Sequence, residues 1–432
     1  MSMYEPLRDE KMKISIIGGG STYTPELIEG FINNADDLGL REVMLMDIDP
    51  VRLGVVGDFA KRMVKHAGSK FTIATTQDLA EAVAGSDFVL TQFRVGTQLA
   101  RHEDIKLGLR HNLIGQETTG IGGMAKALRT IPVIMDICRE VEKTAPEAWI
   151  INFTNPSGII TQTILNHSTC KCVGLCNVPI EMQMTIARFM EAEDKDVYME
   201  SVGLNHLGWV RKVLVKGEDI TPRIMEFLTV GDAPANIPDV DFPKELLVAL
   251  KSLPLYYNRY YYMPDKLRDY IQKKPKTRAE EVIDIENTLL AKYKDPAIVT
   301  KPPELDKRGG AFYSKIAVEL IQAIANDSGR IHTVNTHNNG AVPDLPDDAV
   351  MEIPAHIGKD GARVVKMEKL EPSIRALIQQ AKAYEELTIE AGINKSYSAA
   401  YRAIITNPLG PTAEKAKEVL DDLLETNHLE YK

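Results

Sequence analysis

Residues 13–31 read KISIIGGGSTYTPELIEGF: a short apolar run, three consecutive glycines, then apolar residues at helical spacing. The run Ile14–Ile17 predicts a strand, Gly18-Gly19-Gly20 a tight turn, and the segment from about Tyr23 a helix. A strand, a glycine turn and a helix leave bare backbone N–H groups at a helix N-terminus, where a diphosphate can sit. Glycine suits that turn because a Cβ would hold the phosphate away. The spacing departs from the usual dinucleotide fingerprint, since a third glycine counted from Gly18 and Gly20 would fall at Tyr23. The next apolar run, Val43–Met46, ends in Asp47, an acid placed to bind ribose hydroxyls. The alternative at Asp47 is a local role, capping the DIDPVRL turn.

Working outward, strand-like runs at 71–74, 88–91, 149–153 and 173–175 alternate with helical segments. This alternation predicts an α/β fold with a Rossmann-like, doubly wound parallel sheet. Ligands of such sheets lie beyond the carboxyl ends of the strands. Arg94, Asn155, Cys176 and Asn177 each follow a predicted strand and share that rim. Each has a plainer reading: a surface ion pair for Arg94, a helix cap for Asn155, a small buried hydrophobe for Cys176. The loop GQETTGIGG (115–123) is glycine-rich enough to fold over a substrate.

The chain divides into a dinucleotide-binding unit over 1–196 and a mixed α+β unit over 197–432 that closes over the rim and oligomerises. Within the second, His206 sits in GLNHLGW and, joined with Cys176, would supply two ligands to a divalent metal. Five tyrosines crowd into 255–263. They read as an aromatic core or, for one of them, as a base whose pKa a nearby cation lowers. Arg278 opens a predicted helix, where a cation opposes the dipole unless it faces an anion. The basic loop Lys307-Arg308-Gly309-Gly310 is expected to reach a partner subunit's site, and His337 to occupy a polar turn.

Over 432 residues, apolar side chains make up 44% and charged ones 26%, the balance of a soluble globular protein. A net charge of −10 argues against nucleic acid and anionic membranes, and requires local arginines for any anionic substrate. No signal peptide or spanning segment is visible, and four cysteines, three of them within 170–176, make a poor disulfide framework. A cytoplasmic setting is expected.

Taken together, IIGGGSTYTPEL, DIDPVRL, FRVG, GQETTGIGG, NFTNPSG, CNVP, GLNHLGW, YNRYYY, KTRAEEV and NTHNNGAVPDLP resemble glycoside hydrolase family 4. They run from residue 14 to about 346, in the family's order. Members are NAD- and metal-dependent glycosidases, an exception to the two-carboxylate scheme. The resemblance implies NAD on Gly18, Gly19, Gly20, Ser21, Thr22, Asp47 and Arg52, and a metal, usually manganese, on Cys176 and His206. It implies substrate contacts from Arg94, Asn155, Asn177 and Arg278, with Tyr257 as the base. By this analogy the sugar is oxidised transiently at carbon 3, loses the proton of carbon 2, and eliminates at carbon 1. Water then adds and the hydride returns. Asn177 stands where relatives that cleave α-linked substrates often carry an aspartate. CNVP with YNRYYY therefore resembles the 6-phospho-β-glucosidase branch, with a phosphorylated disaccharide such as cellobiose 6-phosphate as substrate. The family is oligomeric, so a homodimer or homotetramer is expected. The alternatives are a 6-phospho-α-glucosidase and an NAD-dependent 2-hydroxyacid dehydrogenase of related fold.

Overall fold

The computed structural model describes residues 12–227, 240–309 and 312–432. Its strands are β1 Met12–Ile17, β2 Leu40–Met46, β3 Thr72–Thr76, β4 Phe88–Thr91, β5 Trp149–Asn152, β6 Lys171–Gly174, β7 Val197–Leu204, β8 Leu207–Val215, β9 Glu218–Asp219, β10 Leu253–Pro254, β11 Arg330–His337, β12 Val350–Gly358 and β13 Gly361–Val364. One sheet runs in the order β13-β12-β11-β6-β5-β4-β1-β2-β3, and β10-β8-β7 form a second, with β9 pairing β8. Strands β1 to β6 are parallel. Such strands are buried on both faces: β4 is buried throughout, and β1 from Lys13 to Ile17.

The chain leaves β1 toward β2 and β3, then crosses to β4 on the other side. Ile17 pairs with Met46 on one flank and Thr91 on the other, so Gly18, Asp47 and Gln92 emerge side by side at the switch point. Side chains of β1 alternate between two cores. Ile14 and Ile16 face the helices Thr24–Leu38 and Tyr313–Ala325, whereas Ile17 faces Gly120–Thr144 and Pro372–Asn394. Both faces are therefore covered by helices drawn from early and late sequence.

The mixed second unit does not stay separate. The second sheet begins at Val197, beside the expected boundary, but β11, β12 and β13 return to extend the first sheet antiparallel. Among the described residues no helix is long and apolar enough to cross a membrane.

Candidate active site

A cavity of about 630 Å³ opens at the switch point, within the range of small-molecule sites. At one end lies the glycine turn. Gly18 has φ +92°, and a Cβ there would stand 2.9 Å from the Phe93 Cα and N. The Gly18 and Gly19 N–H groups donate to the Met46 carbonyl at 2.9 and 2.8 Å. The Gly20 N–H donates to Asp47 Oδ2 at 2.9 Å, and Asp47 Oδ1 accepts from the Asp49 N–H at 3.1 Å. Asp47 thus braces two turns while facing the cavity; Asp49, not Asp47, caps the helix Pro50–Ala67. Tyr23, at the missing third-glycine position, is the N-cap of Thr24–Leu38 and packs edge-on against Tyr313. Gly18, Ser21, Asp47 and Arg52 line the cavity, while Gly19, Gly20 and Thr22 form the turn behind it.

At the other end the tip of the β7–β8 hairpin enters. His206 occupies it with φ +65°, a left-handed conformation that side chains with a Cβ adopt at a cost of about 1–3 kcal/mol. The neighbouring Asn205 ties the tip down, accepting from the Ser157 N–H at 3.1 Å and donating to Glu352 at 3.2 Å. The His206 ring lies flat on Tyr257, centroids 3.7 Å apart and planes 5° from parallel. Its Nδ1 is buried without a hydrogen-bond partner. Burial, then Lys126, pushes the imidazole down to about 3, so the ring is neutral and able to ligate. Cys176 is the N-cap residue of the helix Asn177–Phe189 and is 3% exposed, outside the cavity lining that its neighbour Asn177 joins. Burial and Glu352 push its thiol well up, and it lies close enough to Tyr257 and Tyr313 to raise both phenols. Burial and then Glu117 push the Tyr257 phenol well above its usual range, so a phenolate there requires a cation.

Between the two ends lies a charged wall that the sequence reading missed. Arg101 and Glu117 pair at 2.6 Å, and Asp104 takes Arg129 at 2.8 Å. Burial works to raise the Glu117 carboxyl, but Arg101, Arg94 and Lys126 together hold it at about 2. Arg94 makes no ion pair among the described residues: burial and Arg101 lower its guanidinium to about 10, and its Nη1 is buried without a partner. Lys126, 2% exposed, also lines the cavity, and its amine makes no hydrogen bond or ion pair among the described residues. Its one sequence signal is a lone lysine between Ala125 and Ala127. The loop 115–123 is not a lid, because Gly115, Gln116, Glu117 and Gly120 to Gly123 are buried and the last four open the helix Gly120–Thr144.

Asn155 and Asn177 line the cavity. Asn155 caps no helix; the N-cap there is Pro156, and the Asn155 amide donates to the Phe153 carbonyl at 3.4 Å. Arg278 stands outside the lining. It opens the helix Arg278–Lys294 and donates to the Lys307 carbonyl at 3.0 Å and to Glu281 at 3.1 Å. Arg308 turns into its own chain's cavity, and Gly310 lies outside the described residues. His337 bonds Asn166 at 2.6 Å away from the cavity, and all four cysteines are free.

A doubly wound sheet with a glycine turn at its switch point, opening into a cavity with a buried imidazole and phenol, defines a dinucleotide-dependent enzyme of small, anionic substrates. Residues 13–192 match the family described as family 4 glycosyl hydrolase, and 201–410 its C-terminal domain. The chain belongs to this family. It is 41% identical over 427 residues to a probable 6-phospho-beta-glucosidase of Bacillus subtilis, covering 96% of each chain. It is 30% identical to a phospho-alpha-glucosidase of Clostridium acetobutylicum, covering 97% of this chain and 98% of that one. A structure of the 6-phospho-beta glucosidase of Thermotoga maritima with manganese, NAD+ and glucose-6-phosphate superposes with a TM-score of 0.91 at 40% identity, covering 98% of this chain and 99% of that one.

Proposed function

We propose that the chain hydrolyses 6-phospho-β-glucosides such as cellobiose 6-phosphate, with NAD and a divalent metal, manganese by preference, as cofactors. The observation that carries this is the neutral His206 ring, its Nδ1 unpartnered, stacked on Tyr257 in the cavity that begins at the glycine turn. The unpartnered His206 nitrogen and the Cys176 thiol, each tied to Tyr257, make a donor pair that suits a divalent transition metal. The glycine turn, with Asp47 and Arg52 on the lining, suits a dinucleotide. When bound, NAD supplies a reversible hydride acceptor and the metal a Lewis acid.

The chain's own residues do the rest. Tyr257 takes the proton from sugar carbon 2. Asn155 and Asn177 orient the hydroxyls. Arg94 and Lys126, neither in an ion pair among the described residues, take the substrate's negative charge, which offsets the desolvation that lowers the pKa of each. Arg278 contributes from the rim. Asn177 cannot donate a proton as an aspartic acid would, which supports β-linked substrates, as does the higher identity to the β-specific relative. Residues 1–196 carry the dinucleotide; 197–432 supply His206, Tyr257 and the surface of a homodimer or homotetramer working in the cytoplasm.

Turnover of cellobiose 6-phosphate in deuterated water tests the reading. Deuterium at carbon 2 of the product, with catalytic NAD+ and no net NADH, is expected. An unlabelled product means direct displacement, net NADH means a dehydrogenase, and faster cleavage of maltose 6-phosphate overturns the β preference.

A further inference from the structure

Beside the glycine turn, Glu286 holds two arginines at once. Arg52 Nη1 and Nη2 each reach Glu286 Oε2 at 3.1 Å, and Arg308 Nη2 reaches Oε1 at 3.2 Å. Gln98 donates to the same Oε1 at 3.2 Å. Glu286 is 5% exposed, so this is a sheltered cluster in which charge matters. Two guanidiniums share one carboxylate, and a positive charge is left over. That surplus lies just ahead of the helix Thr24–Leu38: Arg308 Nε donates to Thr22 Oγ1 at 2.7 Å, its Nη2 lies 3.4 Å from Ser21 Oγ, and its guanidinium lies over the Tyr23 ring.

The strap that carries Arg308, Pro303–Arg308, is fastened along one helix, Arg278–Lys294. Arg278 holds the carbonyls of Lys307 and Arg308, Glu286 holds the Arg308 side chain, and Lys292 pairs with Glu304 at 2.6 Å. A strap fixed at three points keeps its arginine oriented before any ligand arrives, which lowers the entropy lost on binding. An arginine fork over a helix N-terminus, with spare charge and hydroxyl neighbours, is matched to phosphate oxygens.

We infer that Arg308 is a diphosphate-binding residue of the dinucleotide cleft, held ready by Glu286 and closing over the glycine turn from the far side. This rests on the cleft taking NAD, as proposed above. Arg278, besides its contribution from the rim, also positions the strap.

Calorimetric titration of the full-length protein with NAD+, ADP-ribose and adenosine tests the assignment without any turnover. Arg308→Gln is expected to weaken NAD+ and ADP-ribose by roughly tenfold to a hundredfold, the range of a charge-assisted hydrogen bond, and to leave adenosine unchanged. Equal loss for adenosine overturns the assignment, since the side chain would then be shaping the whole cleft. Unchanged ADP-ribose binding also overturns it, leaving the NAD reading intact. A wild-type protein that fails to bind NAD+ sinks both.

Discussion

At the glycine-turn end of the cavity the chain uses sequence neighbours: Gly18 to Ser21 follow one strand, and Asp47 to Arg52 follow the strand paired with it. At the hairpin end it gathers Cys176, His206 and Tyr257 from three distant segments, and the charged wall from Arg94, Glu117 and Lys126. The first end is made largely of backbone and paired charges. The second leaves an imidazole nitrogen and a guanidinium nitrogen buried without partners. A binding end can be satisfied in advance; a reacting end keeps groups in reserve for the substrate.

The sharpest way to break this division is to strike the reacting end alone. Tyr257→Phe is expected to lower kcat by roughly 10²–10⁴ while the Kd for NAD+ moves by less than about twofold. A large change in NAD+ affinity would mean that the two ends are one unit. Next in size is the converse. Gly18→Ala forces a Cβ against the Phe93 backbone at a left-handed φ, and is expected to cost roughly 2–5 kcal/mol in urea unfolding and to weaken NAD+.

Glu352 offers a test by pH. Burial pushes its carboxyl up to about 7, while it accepts from Asn205 at 3.2 Å and Asn335 at 3.1 Å. Between pH 4.5, the ordinary carboxylate value, and pH 7 the unfolded chain releases this proton and the folded one keeps it. The group therefore removes stability as pH rises through that window, by about 3 kcal/mol in all. Glu352→Gln keeps the acceptor oxygen, so in chelator its melting temperature should fall less over the same window than that of the wild type. An identical slope would place the titrating group elsewhere. The smallest effect belongs to Asp49→Ala, which removes a helix cap and should cost ~1 kcal/mol in urea unfolding.

What the sequence made legible follows the same division. The glycine turn, Asp47 and the parallel strands are local patterns, and each was readable from spacing. The pairing of Arg52 with Glu286, or of Arg101 with Glu117, has no spacing signal; only the folded chain brings those charges together. The loop 115–123 looked flexible because glycine permits motion, yet here glycine permits close packing instead. Arg278 at a helix start was read as facing an anion, and Glu281 is one such anion; the two strap carbonyls it also holds come from distant sequence and leave no spacing signal. The antiparallel return of β11 to β13 escaped notice because an edge extension leaves no mark on the strand it joins.

That return has a consequence for how the protein is made. β6 meets β11 through one registered pair, Gly174 with Asn335, where a Cβ on Gly174 would fall 2.1 Å from Thr161 Oγ1 and 2.9 Å from the Asn335 Cβ. Until the ribosome has delivered the chain beyond residue 330, β6 remains a bare edge with its ladder groups open to any passing strand. The early half can lay down its parallel strands, but it stays exposed to misassociation until the late half arrives to seal that flank.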